Sequence, residues 1–237
     1  MATLLFRLCG PMQSWGTRSR FTERDTELEP SKSGVLGLVC AALGRPRSDS
    51  IDDLAALRLG VRVDHEGVMA RDYHTAGAGL GIIRASGGIS RDAVLSNRYY
   101  LADADFLVGL EGGDRALLDT IDGALRTPVW QISLGRKAFV PSVPVALPGS
   151  GIRDLPLPDA LRQEPWPLPL APWAHAFREN SRSIRFVIES TFETPGHETR
   201  MDQPRGAAFR DRLFGPRPIV QQFHLMERTD VPQPAPA

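Results

Sequence analysis

The chain has 237 residues, of which 42% are hydrophobic and 24% charged, as is ordinary for a globular protein with a sizeable core. Its 28 basic residues balance its 28 acidic ones, which argues against coating nucleic acid through bulk charge but leaves room for a local basic groove. The two cysteines predict buried thiols in a cytoplasmic protein, and neither a membrane-spanning run nor a signal-peptide pattern is found.

The first two predicted elements are a strand and a helix. Residues 3–9 form an apolar run that a Gly-Pro pair ends, which predicts a buried strand. In residues 30–44 apolar side chains recur at helical spacing, and Ser31 or Ser33 can cap the first turn. Lys32 adds a positive charge to the positive end of this helix. The helix start is therefore either a phosphate site or a plain buried helix with a solvated lysine.

Together with the strand and helix above, the next elements predict an α+β palm that spans residues 1–137. These elements are strands at 60–64, 68–73 and 105–111, a helix that begins at Gly113-Asp114, and a strand at 129–134. Scattered glycines break every period in residues 75–98, which predicts a functional insert. The order strand, helix, strand, strand, helix, strand is that of the ferredoxin-like fold, which RNA-recognition domains share.

The last part of the chain, residues 138–237, has a different texture. Nine prolines between positions 141 and 172 exclude long regular elements there. Strands are predicted at 183–192 and 219–226, and residues 231–237 read as a frayed tail. We expect a small β-containing subdomain packed on the palm. The segment between these strands is rich in arginine, at positions Arg200, Arg205, Arg210, Arg212 and Arg217, and the sequence does not say which of them face RNA or protein.

Sites for metals and cofactors are not predicted. The five histidines show no ligand spacing, and the chain has neither a phosphate-binding loop nor a nucleophile elbow. A metal-independent ribonuclease, by contrast, needs only a base, an acid and a cation, and His74, Tyr73 and Lys137 can supply one each. The alternative is that His74 is a loop histidine with local hydrogen bonds, since no second histidine stands near it.

Three further groups are typical of single-stranded RNA binding. Trp15 lies between two glycines and can stack on a base, or it can fold back as a lid on the core. Arg98 precedes Tyr99 and Tyr100, of which strand alternation leaves at most one free for stacking. In the turn of residues 135–137, a glycine permits close backbone approach and two cations can clasp phosphate, unless this is an ordinary basic turn.

Five motifs occur in the order found in a known family. They are LCGPMQSWG at residues 8–16, PSKSGVLGL at 30–38, RDYHT at 71–75, YLADADF at 100–106 and LGR at 134–136. Together they resemble the CasD subunits of type I-E CRISPR Cascade complexes, within the repeat-associated mysterious protein superfamily. The resemblance implies a ferredoxin-like palm in which residues 75–98 form a protruding thumb hairpin.

The resemblance also implies a function, which we state as an expectation. Such a subunit is not catalytic; it caps one end of an antiviral ribonucleoprotein complex and binds the 5′ handle of the CRISPR RNA. Its thumb kinks this RNA beside a CasC-like backbone subunit, it contacts a CasA-like large subunit, and it meets target DNA only indirectly. The alternatives are an endoribonuclease that cuts CRISPR repeat RNA, as type I-C relatives do, and a protein that binds only other proteins.

The predicted RNA contacts combine the motifs with the basic and aromatic groups above. They are Gln13, Trp15, Ser31, Lys32, Ser33, Arg71, His74, Arg98, Gly135, Arg136 and Lys137. Two arginines of the insert, Arg84 and Arg91, are expected to reach the RNA or a neighbouring subunit.

Overall fold

A computed structural model of the chain describes residues 1–17, 22–77, 79, 81–83, 87–166, 181–206 and 208–227. The described part is a mixed α+β structure, mostly sheet with few helices. Its α-helices are α1 (Lys32–Leu43), α2 (Asp52–Ala55), α3 (Arg115–Arg126) and α4 (Leu157–Gln163). Its strands are β1 (Ala2–Cys9), β2 (Met12–Gln13), β3 (Glu23–Arg24), β4 (Arg58–His65), β5 (Val68–Ala76), β6 (Ile82–Ile83), β7 (Ile89–Ser90), β8 (Val94–Ala102), β9 (Asp105–Gly112), β10 (Ile152–Arg153), β11 (Ser181–Glu189), β12 (Glu198–Arg205) and β13 (Leu213–Glu227).

One sheet joins the two ends of the chain. Its strand order is β10-β1-β9-β4-β11-β13-β12, and each neighbouring pair is antiparallel. β1 and β9 pair along their whole length, from Ala2↔Gly112 to Cys9↔Asp105. The predicted C-terminal strands form and continue this sheet at the edge of β4, rather than building a sheet of their own.

The larger hydrophobic core lies between one face of this sheet and helices α1 and α3. Phe6 of β1, Val61 of β4 and Val108 of β9 point into it, and Val35 and Ile121 cover them from the two helices. The predicted helix at residues 30–44 is confirmed. Its first turn is capped by the Ser31 hydroxyl, which accepts from the Gly34 N–H.

The other face of the sheet is covered by α4. Leu157 and Leu161 of this helix pack on Leu5, Phe186 and other apolar side chains of the sheet. Glu111 accepts from the N–H of Leu157 at 2.9 Å, while Arg62 donates to the carbonyl of Leu161 at 2.7 Å. The acid thus lies at the start of α4 and the base at its end, where the helix dipole favours them. RNA-recognition domains stack bases on this face of their sheet, and here α4 closes it.

The predicted strand at residues 129–134 does not form, and that prediction is wrong. The N–H groups of Val129 and Trp130 donate instead to the carbonyls of Ala42 and Ala41, at 2.9 and 3.1 Å. They satisfy the end of α1, so they are not available to a ladder. The strand beside β1 is β10, which contributes only two pairs.

The glycine-rich insert is more regular than its sequence suggested. β5 and β8 pair antiparallel from Val68↔Ala102 to Ala76↔Val94, and we call residues 68–102 the ribbon. β6 and β7 form a small hairpin within it, and β2 and β3 pair with the free edge of β8. Arg84 and the tail at 231–237 lie outside the described residues. Within the described ranges, no helix has the length and apolarity that crossing a membrane requires.

Candidate nucleic-acid interface

An open cleft of about 1200 Å³ runs along the exposed side of α1. Small residues form its floor, with Ser33, Gly37 and Ala41 one turn apart on the helix. A Cβ added at Gly37 would meet nothing within 4 Å, so this part of the floor is open to a ligand. One wall comes from residues 133–137 and the other from residues 209–214.

The cleft is basic although the chain as a whole is neutral. Six cationic side chains line it against one acidic side chain, Asp25. The cations are Arg24, Arg45, Arg47, Arg136, Lys137 and Arg212. Four aromatic residues lie along the same lining: Trp130, Phe209, Phe214 and the almost fully buried Trp15. A positive groove interleaved with aromatic rings suits single-stranded nucleic acid, because phosphates and unstacked bases both find partners there.

Three arginines come together where the cleft meets the ribbon. The Arg136 guanidinium donates to the Tyr99 carbonyl at 2.7 Å and lies 5.4 Å from the centre of the Phe139 ring. Burial lowers the pKa of Arg136, and the charges of Arg98 and Arg24 lower it further, although the charges of Asp72 and Asp25 oppose this. We call Arg24, Arg98 and Arg136 the arginine cluster. A phosphate bound there would relieve the repulsion among its members.

Three other cations of the cleft are exposed. Arg47, Lys137 and Arg212 form no ion pair with any residue in the described part of the chain. Arg45 differs, since its guanidinium makes a bidentate bond to Asp53 at 2.6 and 2.9 Å. The Arg210 N–H donates to the Arg47 carbonyl at 3.0 Å, which holds the two arginine-bearing segments together at this end of the cleft.

Lys32 does not reach the cleft, which corrects its prediction as an RNA contact. The residue is 1% exposed, and its Nζ lies 3.0 Å from both carboxylate oxygens of Glu189. Its N–H donates to Asp202 at 2.7 Å. Burial lowers the pKa of Lys32, against the opposing charge of Glu189. The negative charge that the helix start favours is therefore supplied by Glu189 and Asp202 of the C-terminal strands. Ser31 is also buried, because its side chain caps the helix.

Gln13 and Trp15 are also corrected, because both side chains belong to the core. Gln13 donates to the carbonyls of Leu8 and Ala104, and its Oε1 accepts from the Trp15 indole at 3.2 Å. Trp15 is 1% exposed and lies over Gly34, where an added Cβ would be 2.8 Å from the ring. Of the two alternatives for Trp15, the lid on the core is the one found.

Gly135 is needed by the chain itself. Its φ is +92°, and a Cβ there would overlap the carbonyl oxygen of Ser14. The close backbone approach expected at this glycine is thus made by Ser14, whose N–H also donates to the Leu134 carbonyl at 3.1 Å. This contact fixes the turn that carries Arg136 and Lys137 into the cleft.

Two of the predicted catalytic residues, Tyr73 and His74, lie on opposite faces of the ribbon. They are consecutive in β5, and successive side chains of a strand point to opposite faces. His74 faces Asp72, with 3.9 Å between Nδ1 and Oδ2, whereas Lys137 lies in the cleft wall. Arg71, which is exposed, shares the face of Tyr73 rather than that of His74. Within the described ranges, no three histidine, cysteine or acidic side chains group as metal ligands.

The arginines of the C-terminal segment divide into two groups. Arg200 pairs with Glu29 at 2.9 Å and Arg217 with Asp202 at 2.8 Å, so both are internal. Arg212, by contrast, lines the cleft. The sequence analysis did not predict Arg24, Arg47 or Trp130 as cleft residues. The signal for Arg47 was the basic Arg-Pro-Arg segment after α1, and the signal for Trp130 was an aromatic residue in the predicted strand at 129–134. Arg91 is exposed near the end of the ribbon hairpin.

Comparison with known proteins places the chain in a family. A family model described as CRISPR-associated protein (Cas_Cas5) matches residues 3–222. The CRISPR system Cascade subunit CasD of Escherichia coli strain K12 is 34% identical over 149 residues, which are 57% of this chain and 65% of that relative. The match thus spans slightly less than two thirds of the relative's length.

Two solved structures are similar over almost the whole chain. A crystal structure of a Cas protein is 41% identical, with a TM-score of 0.71, and the match covers 93% of this chain and 94% of that one. A chain of a CRISPR RNA-guided surveillance complex is 34% identical, with a TM-score of 0.77, over 95% of this chain and 91% of that one. The resemblance to CasD is confirmed, and the chain belongs to the CRISPR-associated Cas5 family.

Proposed function

We propose that this protein is a non-catalytic subunit of a Cascade-type CRISPR RNA-guided surveillance complex and that its cleft binds the 5′ handle of the CRISPR RNA. The observation that carries the proposal is the cleft along α1, which is basic and lined with aromatic rings in a chain without net charge. A protein that grips a short RNA segment needs such a groove, not a positive surface overall. The similarity to a chain of a surveillance complex supports the same assignment.

The proposed palm is ferredoxin-like, and the ribbon is its thumb. Two features support this: the chain order β1, α1, β4, β9, α3, β10, and the sheet order β10-β1-β9-β4. Because β10 is the last strand of this palm, the proposed palm ends at residue 153, where the sequence predicted an end at residue 137. The strands β11, β12 and β13 then form the C-terminal part, packed edge to edge on the palm.

In this proposal the RNA lies along α1 and not on the sheet. The arginine cluster holds phosphate where the ribbon leaves the palm, and Lys137, Arg47 and Arg212 hold phosphates along the two walls. The covered sheet face excludes the binding mode of RNA-recognition domains for this chain. Ser33 contacts the RNA only as part of the small-residue floor.

Contacts with other subunits are assigned to the ribbon. Ile83 and Ile89 form a cross-strand pair there, and Ile83 is 85% exposed. An exposed aliphatic pair on a projecting hairpin suits a protein partner, which in this proposal is the CasC-like backbone subunit. Arg91 is placed in the same contact. The CasA-like large subunit is a second protein partner, and target DNA is met only through the assembled complex.

Co-purification tests the proposed function directly. The full chain, tagged and co-expressed with the proteins encoded beside it, is expected to bring down large partners in fixed ratio together with one discrete RNA. Sequencing should place repeat-derived nucleotides at the 5′ end of that RNA. Partners without RNA would support the alternative in which the protein binds only other proteins, and recovery of neither would contradict the proposal.

The endoribonuclease alternative gives the opposite result in a simple assay. We expect the free chain to leave repeat RNA intact in the presence of a chelator, because Tyr73 and His74 lie on opposite faces of the ribbon. His74→Ala should then behave as the parent does. Gel analysis of labelled RNA measures both. Cleavage by the parent that His74→Ala abolishes would overturn the non-catalytic assignment.

A further inference from the structure

Trp130 is a large apolar residue that the core does not use. It is 48% exposed, yet its backbone is fixed, since its N–H and that of Val129 donate to the last carbonyls of α1. No aromatic residue or cation in the described part of the chain stacks on its ring. The indole, held in place by these backbone bonds, offers a flat apolar face to a ligand.

The surroundings of Trp130 fit a planar ligand with charge on both sides. The cleft floor beneath it is made of small residues, and at Gly37 the space above the helix is open. Arg47 and Arg212 line the same cleft as Trp130. Phe209, next to Arg212 in the fold, adds a second ring to this end of the lining.

Two segments distant in sequence are held together to form this end of the cleft. Ser50 and Ala208 form an isolated β-bridge, and the Arg210 N–H donates to the Arg47 carbonyl at 3.0 Å. The loop after α1 and the turn before β13 are therefore joined by backbone bonds, which keep Arg47 and Arg212 at the same end of the cleft. Two cations brought together in this way suit the phosphates of neighbouring nucleotides.

We propose that Trp130 is the platform of a base-stacking subsite, which takes one unstacked base of single-stranded RNA while Arg47 and Arg212 hold the phosphates on either side. The inference rests on the proposed RNA-binding function and adds a position to it. Stacking on an indole tolerates any base, because every base has a π-face. The subsite therefore fixes the register and bend of the RNA without reading its sequence.

Abasic scanning tests the subsite. The probe is a set of single-stranded RNAs with the 5′ sequence of the co-purified RNA, each lacking the base at one position. The parent chain is expected to lose roughly 5- to 150-fold in affinity at one position, the range for a single stacked base. Trp130→Ala should bind the complete RNA as weakly as the parent binds the RNA that lacks this base. Removing the same base should then cause no further loss of affinity in Trp130→Ala. Trp130→Phe, which keeps a ring, should restore most of the affinity.

The control and the contrary outcomes separate this inference from the function on which it rests. Phe192→Ala removes a ring of similar exposure, 52%, outside the cleft and should bind as the parent does. The salt dependence of binding should be the same in all variants, because no charge is changed. If Trp130→Ala keeps the parent's abasic profile, the subsite is refuted while RNA binding stands. If the parent binds none of these RNAs, the proposed function itself fails.

Discussion

Replacing Arg47, Lys137 and Arg212 together with glutamine is expected to weaken binding of the handle RNA about 150-fold at low salt, taking about 1 kcal/mol for each lost solvent-exposed ion pair with phosphate. These three cations line the cleft, are exposed and have no ion-pair partner among the described residues. Each contact with single-stranded RNA contributes about 0.7 to the slope of log K against log salt, so the slope should flatten by about 2. Titrations at several salt concentrations measure both quantities.

A matched variant controls for the change in overall charge. Arg115, Arg126 and Arg162 lie on α3 and α4, outside the cleft, and pair with Asp154, Asp122 and Asp159. The side chains of Asp154 and Asp159 are exposed, and the buried Asp122 keeps the Gly151 N–H as a donor at 3.3 Å when Arg126 is replaced. Replacing these three with glutamine removes the same charge at little cost in stability. This variant should keep both the affinity and the slope. Equal losses in the two variants would mean that RNA binds by general charge, and no loss in either would remove the cleft from the interface.

Replacing Lys32 with methionine is expected to destabilise the fold rather than to affect RNA contacts directly. The ammonium is buried against the Glu189 carboxylate, and its removal leaves that acid with the Leu59 N–H at 3.0 Å and, as its only cation among the described residues, the more distant Arg217, at 3.9 Å. Breaking a buried ion pair costs about 3–5 kcal/mol. For a chain of this size the melting temperature should fall by roughly 10 °C. Calorimetry or a circular dichroism melt measures this fall.

A double variant separates the two roles that sequence and structure give to Lys32. Adding Glu189→Gln to Lys32→Met removes the uncompensated charge, so part of the lost stability should return. RNA affinity of the folded Lys32→Met protein should stay close to that of the parent. A Lys32→Met protein with unchanged stability and weakened RNA binding would instead support the lysine as a phosphate contact.

The charged pairs around α1 explain why the C-terminal strands matter to the cleft. Glu189 of β11 and Asp202 of β12 both bind the first residue of α1. Arg185 of β11 binds Glu29, just before that helix, and Glu66, two residues before the ribbon. These bonds raise the pKa of Arg185 against the effect of burial. The floor of the proposed RNA site is thus held in place by side chains that lie more than 150 positions away in sequence.

The basic turn and the ribbon show how far local sequence patterns reach. Gly135, Arg136 and Lys137 were predicted as a unit, and they do form a cleft wall. Their spacing, however, depends on the Ser14 backbone, which packs against Gly135. The glycines of the insert hid a nine-pair ladder between β5 and β8. β5 is mostly exposed on both faces, so it shows no alternation of buried apolar and exposed polar residues.

The sequence by itself determined the family, the order of most elements and the presence of basic and aromatic groups suited to RNA. These follow from motifs, periodicity and composition, which are local. Only the tertiary structure decided which cations are free. Lys32 and Arg217 are neutralised by acids that fold onto them, whereas Arg47 and Arg212, from distant segments, converge on one cleft. The sequence shows which residues carry a charge, but long-range contacts decide which of these charges have an ion-pair partner. A cation that is paired with an acid stabilises the fold, whereas an unpaired cation in the cleft is available to a phosphate.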